Sequence, residues 1–366
     1  MSNYLKRLAL LVSVFSFIVV SFPASLIAQT ITPLPANVSF LYDWENGPTN
    51  HSGGWVDTQW MASDRIQVVS DFGQLGGKAI KVTVNPGDDP INSSGERAEL
   101  VHMSNRDGTI LDENIPSGTQ YYAVSIKLPT DWVEPAKEVN GPNWAIFLQL
   151  HGDDKYGMSP SFAMDIKDAF QVDNMGGDLD YCNNYIVTDP AKCNFTFYPL
   201  SDGSLNLGHW VYFVIKIKFA KDFTGSIDVW RANEGQSQFT QVLSKSNIPT
   251  LQYRGTINNG IVPNHYWKTG FYRSEQTTLI NVIYLGSIVR GSTFNDVVAA
   301  AFPSTPTATP VLLKGDINHD GTVNIQDFTL LSNAFGTNNA AADLNSDGIV
   351  NIQDYTLLSN NFGKTS

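Results

Sequence analysis

Apolar and aromatic residues alternate with polar ones over much of the chain between residues 30 and 302. Six stretches are rich in β-branched and aromatic residues and are separated by Gly, Pro, Asn and Asp, namely 121–128, 144–151, 209–219, 225–231, 266–273 and 280–289. Such runs are typical of β-strands, and no long stretch with helical periodicity interrupts them. We therefore predict an all-β domain at 30–302, a β-jelly roll sandwich with one concave sheet open to a ligand.

The two ends of the chain follow different patterns. Lys6 and Arg7 precede an apolar run and then small residues, which predicts a secretory signal peptide at 1–28 with cleavage after Ala28. An uncleaved membrane anchor is the alternative, but a transmembrane helix usually needs about 20 apolar residues. Residues 303–312 are rich in Pro and Thr and predict a linker to a tail at 313–366. We expect a secreted protein, extracellular or attached to a cell surface, with no membrane span after cleavage.

Charge and cysteine content narrow the range of partners. The chain carries a net charge of −12, of which the signal peptide contributes +2 and the tail −4, so the middle of the chain carries −10. This balance argues against nucleic acid as a partner and against a broad basic surface for heavily sulfated polymers.

The two cysteines, Cys182 and Cys193, bracket a short polar loop, and in an oxidising compartment we expect them to form a disulfide.

The tail contains an internal repeat. DINHDGTVNIQDFTLLSNAFG begins at Asp316, and DLNSDGIVNIQDYTLLSNNFG begins at Asp343. Calcium loops of the EF-hand kind supply oxygen ligands at positions 1, 3, 5, 7, 9 and 12, with Gly at position 6 for the turn. The predicted ligands of two calcium ions are Asp316, Asn318, Asp320, Thr322 (carbonyl), Asn324 and Asp327 in the first loop, and Asp343, Asn345, Asp347, Ile349 (carbonyl), Asn351 and Asp354 in the second.

These repeats resemble a type I dockerin domain over 313–366. The resemblance implies a small α-helical calcium-binding domain whose partner is a cohesin-type scaffold protein. It also implies one helix after each loop, here FTLLSNAF and YTLLSNNF, with Leu and Phe residues that pack on each other and face the partner. The positions that read the partner carry Ile325–Gln326 and Ile352–Gln353 instead of a small hydroxyl pair, so the class of cohesin stays open.

Polar side chains occupy alternate positions on three of the predicted strands, as one face of a sheet requires. Strict alternation places Arg97 and Glu99 on one face in GERAEL. It places Ala145, Phe147, Gln149 and His151 on one face in WAIFLQLH, opposite Trp144, Ile146, Leu148 and Leu150. In YWKTGFYR it places Tyr266, Lys268, Gly270 and Tyr272 opposite Trp267, Thr269 and Phe271.

This set of residues suits β-elimination of a uronic-acid polymer, in which a base removes the C5 proton and an acid protonates the departing O4. Arg97 and Gln149 suit the C5 carboxylate, because their hydrogen bonds strengthen as negative charge develops. His151 suits the base, and Tyr272 suits the acid or both proton transfers. Lys268 would hold an adjacent carboxylate. Tyr266 shares the same face and is the alternative to Tyr272.

Five segments in this order resemble the polysaccharide lyases of the heparin lyase I and glucuronan lyase type, and more loosely the jelly-roll alginate lyases, over roughly 40–300. The segments are SGERAEL, YYAVSIKLPTDW, NWAIFLQLHG, HWVYFVIKIKF with GSIDVWRANEG, and YWKTGFYRSE. The resemblance implies that Arg97, Gln149, His151, Lys268 and Tyr272 take the cleft roles. Lys268, Tyr266 and Glu99 are expected to bind substrate, and Glu99 is expected to orient Arg97 and not to act in the chemistry. The negative charge of the domain favours glucuronan, alginate or another non-sulfated polyuronate over heparin, and a further ion in this domain stays an open question.

Two other functions compete with a lyase. A non-catalytic carbohydrate-binding jelly roll could grip sugar with the same Arg, Lys and aromatic residues, but it has no use for a proton-transfer pair. A retaining glycoside hydrolase would need two carboxylates flanking the bond, and the typical E-x-D-x-x-E strand does not occur. Alone, His151 could be a structural histidine and Arg97–Glu99 a surface pair. The remaining histidines (His51, His102, His209, His265 and His319) are expected to be structural or exposed.

Overall fold

The computed structural model describes residues 34–364 apart from 43, 45–46, 49–52, 71–77, 93–94, 106, 136–142, 184–185, 237, 277, 303–313, 319–321, 340 and 346. The predicted signal peptide, the predicted linker and Asp320 lie outside the described residues. Within the described part of the chain, no helix is both long and apolar enough to span a membrane.

The described chain is mostly β-strand. In chain order the strands are β1 (Val38–Tyr42), β2 (Trp55–Gln59), β3 (Ile66–Ser70), β4 (Lys78–Val84), β5 (Glu96–Met103), β6 (Thr119–Lys127), β7 (Ala145–Gly152), β8 (Pro160–Ile166), β9 (Phe170–Asp178), β10 (Cys182–Asn183), β11 (Ile186–Val187), β12 (Cys193–Pro199), β13 (Trp210–Lys218), β14 (Gly225–Asn233), β15 (Thr240–Ile248), β16 (Gln252–Tyr253), β17 (His265–Arg273), β18 (Asn281–Leu285) and β19 (Ile288–Gly291). The helices are α1 (Phe294–Ala301), α2 (Ile325–Ala334) and α3 (Ile352–Ser359).

Two large sheets contain nearly all of these strands. One has nine strands in the order β15-β14-β13-β6-β18-β4-β3, with β19 pairing with both β1 and β6. The other has eight strands in the order β12-β9-β8-β7-β17-β5-β2, with β16 added parallel to β9. The predicted two-sheet β-sandwich is confirmed. The predicted strand at 280–289 is two strands, because the chain leaves β18 at Leu285 and pairs with β1 only from Ile288.

A continuous apolar core fills the space between the sheets. From β13, Val211, Phe213, Ile215 and Ile217 point into it, as alternation requires. The intervening residues Tyr212 and Val214 are also buried, because α1 packs on the outer face of the nine-stranded sheet. Burial on both faces is the physical reason that this strand reads as an almost unbroken apolar run.

The eight-stranded sheet departs from strict alternation at one place in β7. The register between β7 and β8 shifts between Ile146 and Leu148, and the register between β7 and β17 shifts between Thr269 and Tyr272. As a result Phe147 packs in the core against Phe170, whereas Ile146 pairs across the sheet with Tyr272. The prediction that Phe147 shares a face with Gln149 and His151 is therefore wrong, and a β-bulge is the reason.

The tail folds into two short helices that follow its two loops. The predicted helices began at Phe328 and Tyr355, but α2 and α3 begin three residues earlier, where Asn324 and Asn351 cap them. Leu331 and Leu358 are buried in a small core, whereas Phe335 and Phe362 are exposed. The expectation that all Leu and Phe residues of these helices pack on each other is therefore only partly met.

Candidate functional site

The predicted polar residues converge on one face of the eight-stranded sheet, which we call the cleft face. Arg97 and Glu99 come from β5, Gln149 and His151 from β7, and Lys268 and Tyr272 from the central strand β17. Tyr272 of β17 pairs with Arg97 of β5, and Lys268 of β17 pairs with Gln149 of β7. Since cross-strand partners project from the same side of a sheet, these residues line one surface.

Glu99 organises the floor of this surface. Its carboxylate accepts a hydrogen bond from Gln149 Nε2 and pairs with Arg97 at 3.4 Å, and all three side chains are nearly buried. Gly270 faces Glu99 across the sheet with φ +140°, and a Cβ there would lie 2.2 Å from the Ala98 carbonyl oxygen. The strand pair therefore approaches closely only because position 270 is glycine.

The Gln149 side chain has a buried acceptor atom that is available to a ligand. Its Oε1 has no hydrogen-bond partner among the described residues, although the side chain is only 1% exposed. A buried amide acceptor without a donor costs about 1–3 kcal/mol. A hydroxyl of a bound ligand would supply the missing donor.

His151 forms a compact group with Tyr266 and Asp154. Its Nδ1 lies 2.6 Å from the Gly152 carbonyl oxygen and 3.4 Å from an Asp154 carboxylate oxygen. The Tyr266 hydroxyl donates to Asp154 at 3.3 Å and lies 3.5 Å from the same Nδ1. With Nδ1 protonated toward Gly152, the lone pair of the ring is on Nε2, which is the arrangement that a general base requires.

Charge and burial keep this histidine neutral. Burial, and then the nearby Lys268 ammonium, lowers the pKa of His151 from 6.5 to about 3. Burial also lowers the pKa of Lys268, and burial followed by the Asp154 carboxylate raises the pKa of Tyr266 above its ordinary value of 10.0. A neutral imidazole beside two cationic side chains is suited to accept a proton once an anionic ligand offsets those charges.

Tyr272 sits at the opposite end of the same group of strands. The Arg97 guanidinium carbon lies 3.9 Å from the centre of its ring, and Trp144 packs on it with ring centroids 5.6 Å apart. Gly95 backs both rings, since a Cβ there would lie 2.8 Å from Trp144 and 2.9 Å from Tyr272. Of the two candidate tyrosines, Tyr266 contacts His151 directly, and Tyr272 contacts the candidate carboxylate-binding arginine.

Sequence reasoning missed three members of this surface. Asp154 lies after β7 in a 3₁₀ turn, where strand alternation predicts nothing about the direction of a side chain. His102, which we expect to be structural or exposed, also borders this surface: its ring centroid lies 4.2 Å from that of Tyr266, and its Nδ1 lies 3.0 Å from an Asp57 carboxylate oxygen. Its backbone has φ 62°, an uncommon value for a non-glycine residue that turns it out of the strand pattern. Strict alternation places Trp144 on the face opposite Gln149, but the bulge in β7 brings it against Tyr272.

The calcium loops of the tail offer an oxygen-rich ligand set. Asp327 and Asp354 are fully buried, and both oxygens of each carboxylate accept backbone N–H groups from their own loop. Asp343 accepts from the N–H groups of Asp347 and Gly348, and Gly348 has φ +93°, as a tight turn at position 6 needs. Carboxylate, amide and carbonyl oxygens are the donors that Ca²⁺ takes, so these residues fit that ion.

Among the described residues, no three His, Cys, Asp or Glu side chains converge as a metal site. The predicted sets also draw on Asn side chains and main-chain carbonyls, and Asp320 is outside the described residues. Separately, Cys182 and Cys193 form a disulfide with a Cα–Cα distance of 6.0 Å, which joins β10 to β12.

Known proteins match both parts of the chain. A family model described as polysaccharide lyase matches residues 41–289, and one described as dockerin type I domain matches residues 314–363. No curated protein sequence matches the chain significantly.

Among solved structures, an endo-β-1,4-glucuronan lyase from the fungus Trichoderma reesei is 19% identical, covers 71% of this chain and 98% of its own, and has a TM-score of 0.50. A mutant of the alginate lyase Aly36B with bound alginate trisaccharide is 14% identical over 71% of this chain and 100% of its own, with a TM-score of 0.41. An alginate lyase from Pseudomonas aeruginosa is 16% identical over 63% and 87%, with a TM-score of 0.39. The likeness to the glucuronan lyase is one of fold.

Proposed function

This chain belongs to the polysaccharide lyase family and carries a type I dockerin domain, and from that premise we propose that it is secreted and cleaves a uronic-acid polysaccharide by β-elimination. The observation that carries the proposal is the joint presence on one face of a neutral, oriented imidazole and two buried cationic side chains. Those are the groups that removal of a proton next to a carboxylate needs.

Arg97 and Lys268 would receive the substrate carboxylate, and Gln149, whose Nε2 already donates to Glu99, would bind the sugar beside them. Arg97 and Lys268 bring positive charge to a site that is largely closed to water, where electrostatic interactions are stronger than in solution. The open acceptor of Gln149 adds a contact to a sugar hydroxyl. Glu99 orients Arg97 and Gln149 through its two hydrogen bonds and takes no part in proton transfer.

His151 would remove the C5 proton through Nε2. Its low pKa makes it a weak base in the free enzyme, and an anionic substrate that neutralises Lys268 and Arg97 would raise that pKa. Binding of the correct substrate would thereby activate the base. The C5 proton passes to His151, the C4=C5 double bond forms and the C4–O4 bond breaks.

Tyr272 would protonate the departing O4. The Tyr266 hydroxyl is the alternative, but it donates to Asp154, its side chain is nearly buried and its pKa is raised. These properties suit a residue that positions His151. Tyr272 is less buried and lies beside Arg97, where the substrate carboxylate is expected.

The tail would attach this enzyme to a scaffold. We propose that it binds two calcium ions through the twelve predicted ligands and docks on a cohesin-type protein outside the cell. The net charge of −10 between the signal peptide and the tail favours a non-sulfated polyuronate such as glucuronan or alginate as the substrate.

A carbohydrate-binding module without turnover is the second candidate, because Arg97, Lys268 and the free acceptor of Gln149 would hold a uronic acid unit without any proton transfer. One experiment separates the two functions. The mature full chain is incubated with glucuronan, alginate and heparin, and ultraviolet absorbance of the unsaturated product is followed. We expect absorbance on a non-sulfated polyuronate; binding without absorbance on every polymer would favour the module instead.

Variants then test the assigned roles. His151→Ala and Tyr272→Phe should each lower kcat by at least about 100-fold, the usual scale of acid–base catalysis. The exposed His209→Ala serves as the control and should match the parent chain. If Tyr266→Phe abolishes turnover while Tyr272→Phe remains active, the roles of the two tyrosines are exchanged.

A further inference from the structure

Phe197 presents an aromatic ring at the edge of the cleft face. It lies on β12, the outermost strand of the eight-stranded sheet, and its side chain is 42% exposed. Phe195, two residues earlier on the same face, packs edge-on against it with ring centroids 5.1 Å apart. Single exposed aromatic residues are common on protein surfaces, so this exposure alone carries no function.

Strand register connects this ring to the proposed active site. Phe197 pairs with Asp173, Asp173 with Ala163, and Ala163 with Gln149, each across one strand boundary. Cross-strand partners share a face, so Phe197 belongs to the same continuous surface as Gln149. Three strand spacings separate them, roughly 14 Å. That span is more than one sugar unit, so a polymer lying across the strands would reach both residues.

A cation accompanies the ring. The Lys167 ammonium lies 4.8 Å from the centre of the Phe197 ring and 3.3 Å from an Asp165 carboxylate oxygen. A uronic acid unit has an apolar C–H face and a carboxylate, which an aromatic ring and a neighbouring ammonium would bind together.

Asp165 of β8 and Asp173 of β9 lie on the same face of the sheet, but they do not prevent a uronic acid unit from binding there. Burial, and then the neighbouring Asp165 carboxylate, raises the pKa of Asp173 well above its ordinary value, and burial raises that of Asp165. Gln171 donates to both side chains, and Lys167 offsets their remaining charge. The pair therefore repels an anionic polymer less than two ionised carboxylates would.

We propose that Phe197 and Lys167 form a distal sugar subsite, which binds a uronic acid unit of the substrate chain remote from the cleaved bond. The subsite rests on the proposed function for its ligand. It makes cleavage depend on chain length, because only substrates long enough to cover both Gln149 and Phe197 gain from it.

The test compares long and short substrates on the full-length protein. In Phe197→Ala and in Lys167→Gln, kcat/KM on polymeric glucuronan or alginate should fall about tenfold, equal to about 1.4 kcal/mol. On the shortest oligosaccharide that the parent cleaves, both variants should match the parent. Phe197→Tyr should restore polymer cleavage. Lys245→Gln is the matched control, because its ammonium lies 5.3 Å from the Tyr198 ring, on the other face of β12.

Two results would overturn the subsite: unchanged polymer kinetics in Phe197→Ala, or an equal loss on short and long substrates. A parent chain that cleaves no polymer would instead refute the proposed lyase function. The subsite is then judged by gel electrophoresis through the polyuronate, where the parent should be retarded and Phe197→Ala should not. Equal migration of the two proteins in that gel would refute the subsite.

Discussion

His265 lies at the start of β17, and both of its ring nitrogens are hydrogen bonded inside the protein. The backbone N–H of Gln252 donates to Nε2 at 3.0 Å, and Nδ1 donates to the Pro263 carbonyl at 3.0 Å. The side chain is fully buried. Protonation of His265 at low pH would put a hydrogen on Nε2, where it would face the Gln252 N–H that now donates to this nitrogen. It would also leave a positive charge in the interior.

The size of this effect follows from the two states of the histidine. Burial lowers the pKa of His265 from 6.5 to about 4 in the folded domain. Between these values the unfolded chain binds a proton that the folded chain does not, so the contribution to stability is complete above pH 6.5 and falls as the pH drops toward 4. Each pH unit below 6.5 costs about 1.4 kcal/mol, and at about pH 5 His265 alone lowers the free energy of unfolding by about 2 kcal/mol.

Urea unfolding of the full chain at about pH 7.5 and about pH 5 measures this loss. All eight tryptophans precede residue 303, so their fluorescence reports on the lyase domain, and excess calcium is kept present. In His265→Asn the stability difference between the two pH values should shrink by about 2 kcal/mol, even if the variant is less stable at both. His209→Asn, an exposed control, should keep the parent difference. If His265→Asn keeps the parent difference as well, burial of a neutral His265 is not the source of the pH dependence.

Three further predictions concern the cleft and the tail. Asp154→Asn should lower kcat about tenfold or more with little change in KM, because the Asp154 carboxylate holds His151 and Tyr266 in place. Asp153→Asn is the control: it removes the same charge one residue away and should leave kcat unchanged. Gly270→Ala should destabilise the lyase domain by about 3 kcal/mol in urea unfolding, because its Cβ would meet the Ala98 carbonyl oxygen. Gly235 also has a positive φ but lies in open space, so Gly235→Ala should lower the free energy of unfolding clearly less. Equal losses of stability in the two variants would contradict the close approach at Gly270. Calcium chelation should reduce the helical circular dichroism of the tail and leave lyase turnover largely intact; a tail that stays folded would argue against calcium as its structural ion.

Sequence patterns predicted the sandwich because alternation is a local property. The strands at 121–128, 209–219 and 266–273 appear within one or two residues of their predicted ends. Lys268 and Tyr272 share the cleft face as expected, because no residue is inserted between them on β17 relative to β5. Where the hydrogen-bond ladder is regular, neighbouring residues alone predict that a segment is a strand and which face each side chain takes.

The pattern failed where the ladder is irregular. The bulge in β7 reverses Ile146 and Phe147, and the left-handed backbone of His102 turns that residue against Tyr266. A bulge adds one residue to one strand, and nothing in a period-two pattern marks where it occurs. Trp144 and Asp154 join the site for related reasons, one through the bulge and the other through a turn after the strand.

Local patterns of residues were enough to predict the β-sandwich domain and the duplicated tail with its candidate calcium ligands. Each loop of the tail places its candidate ligands within twelve residues, so spacing alone predicts calcium as the ion. The cleft assembles residues from β5, β7 and β17, which lie far apart in the chain, and their contacts depend on register and side-chain direction. The contacts of His151 with Tyr266 and Asp154, and the packing of Tyr272 beneath Arg97, appear only in the folded sheet, because non-local pairing is set by the whole sheet and not by any one strand.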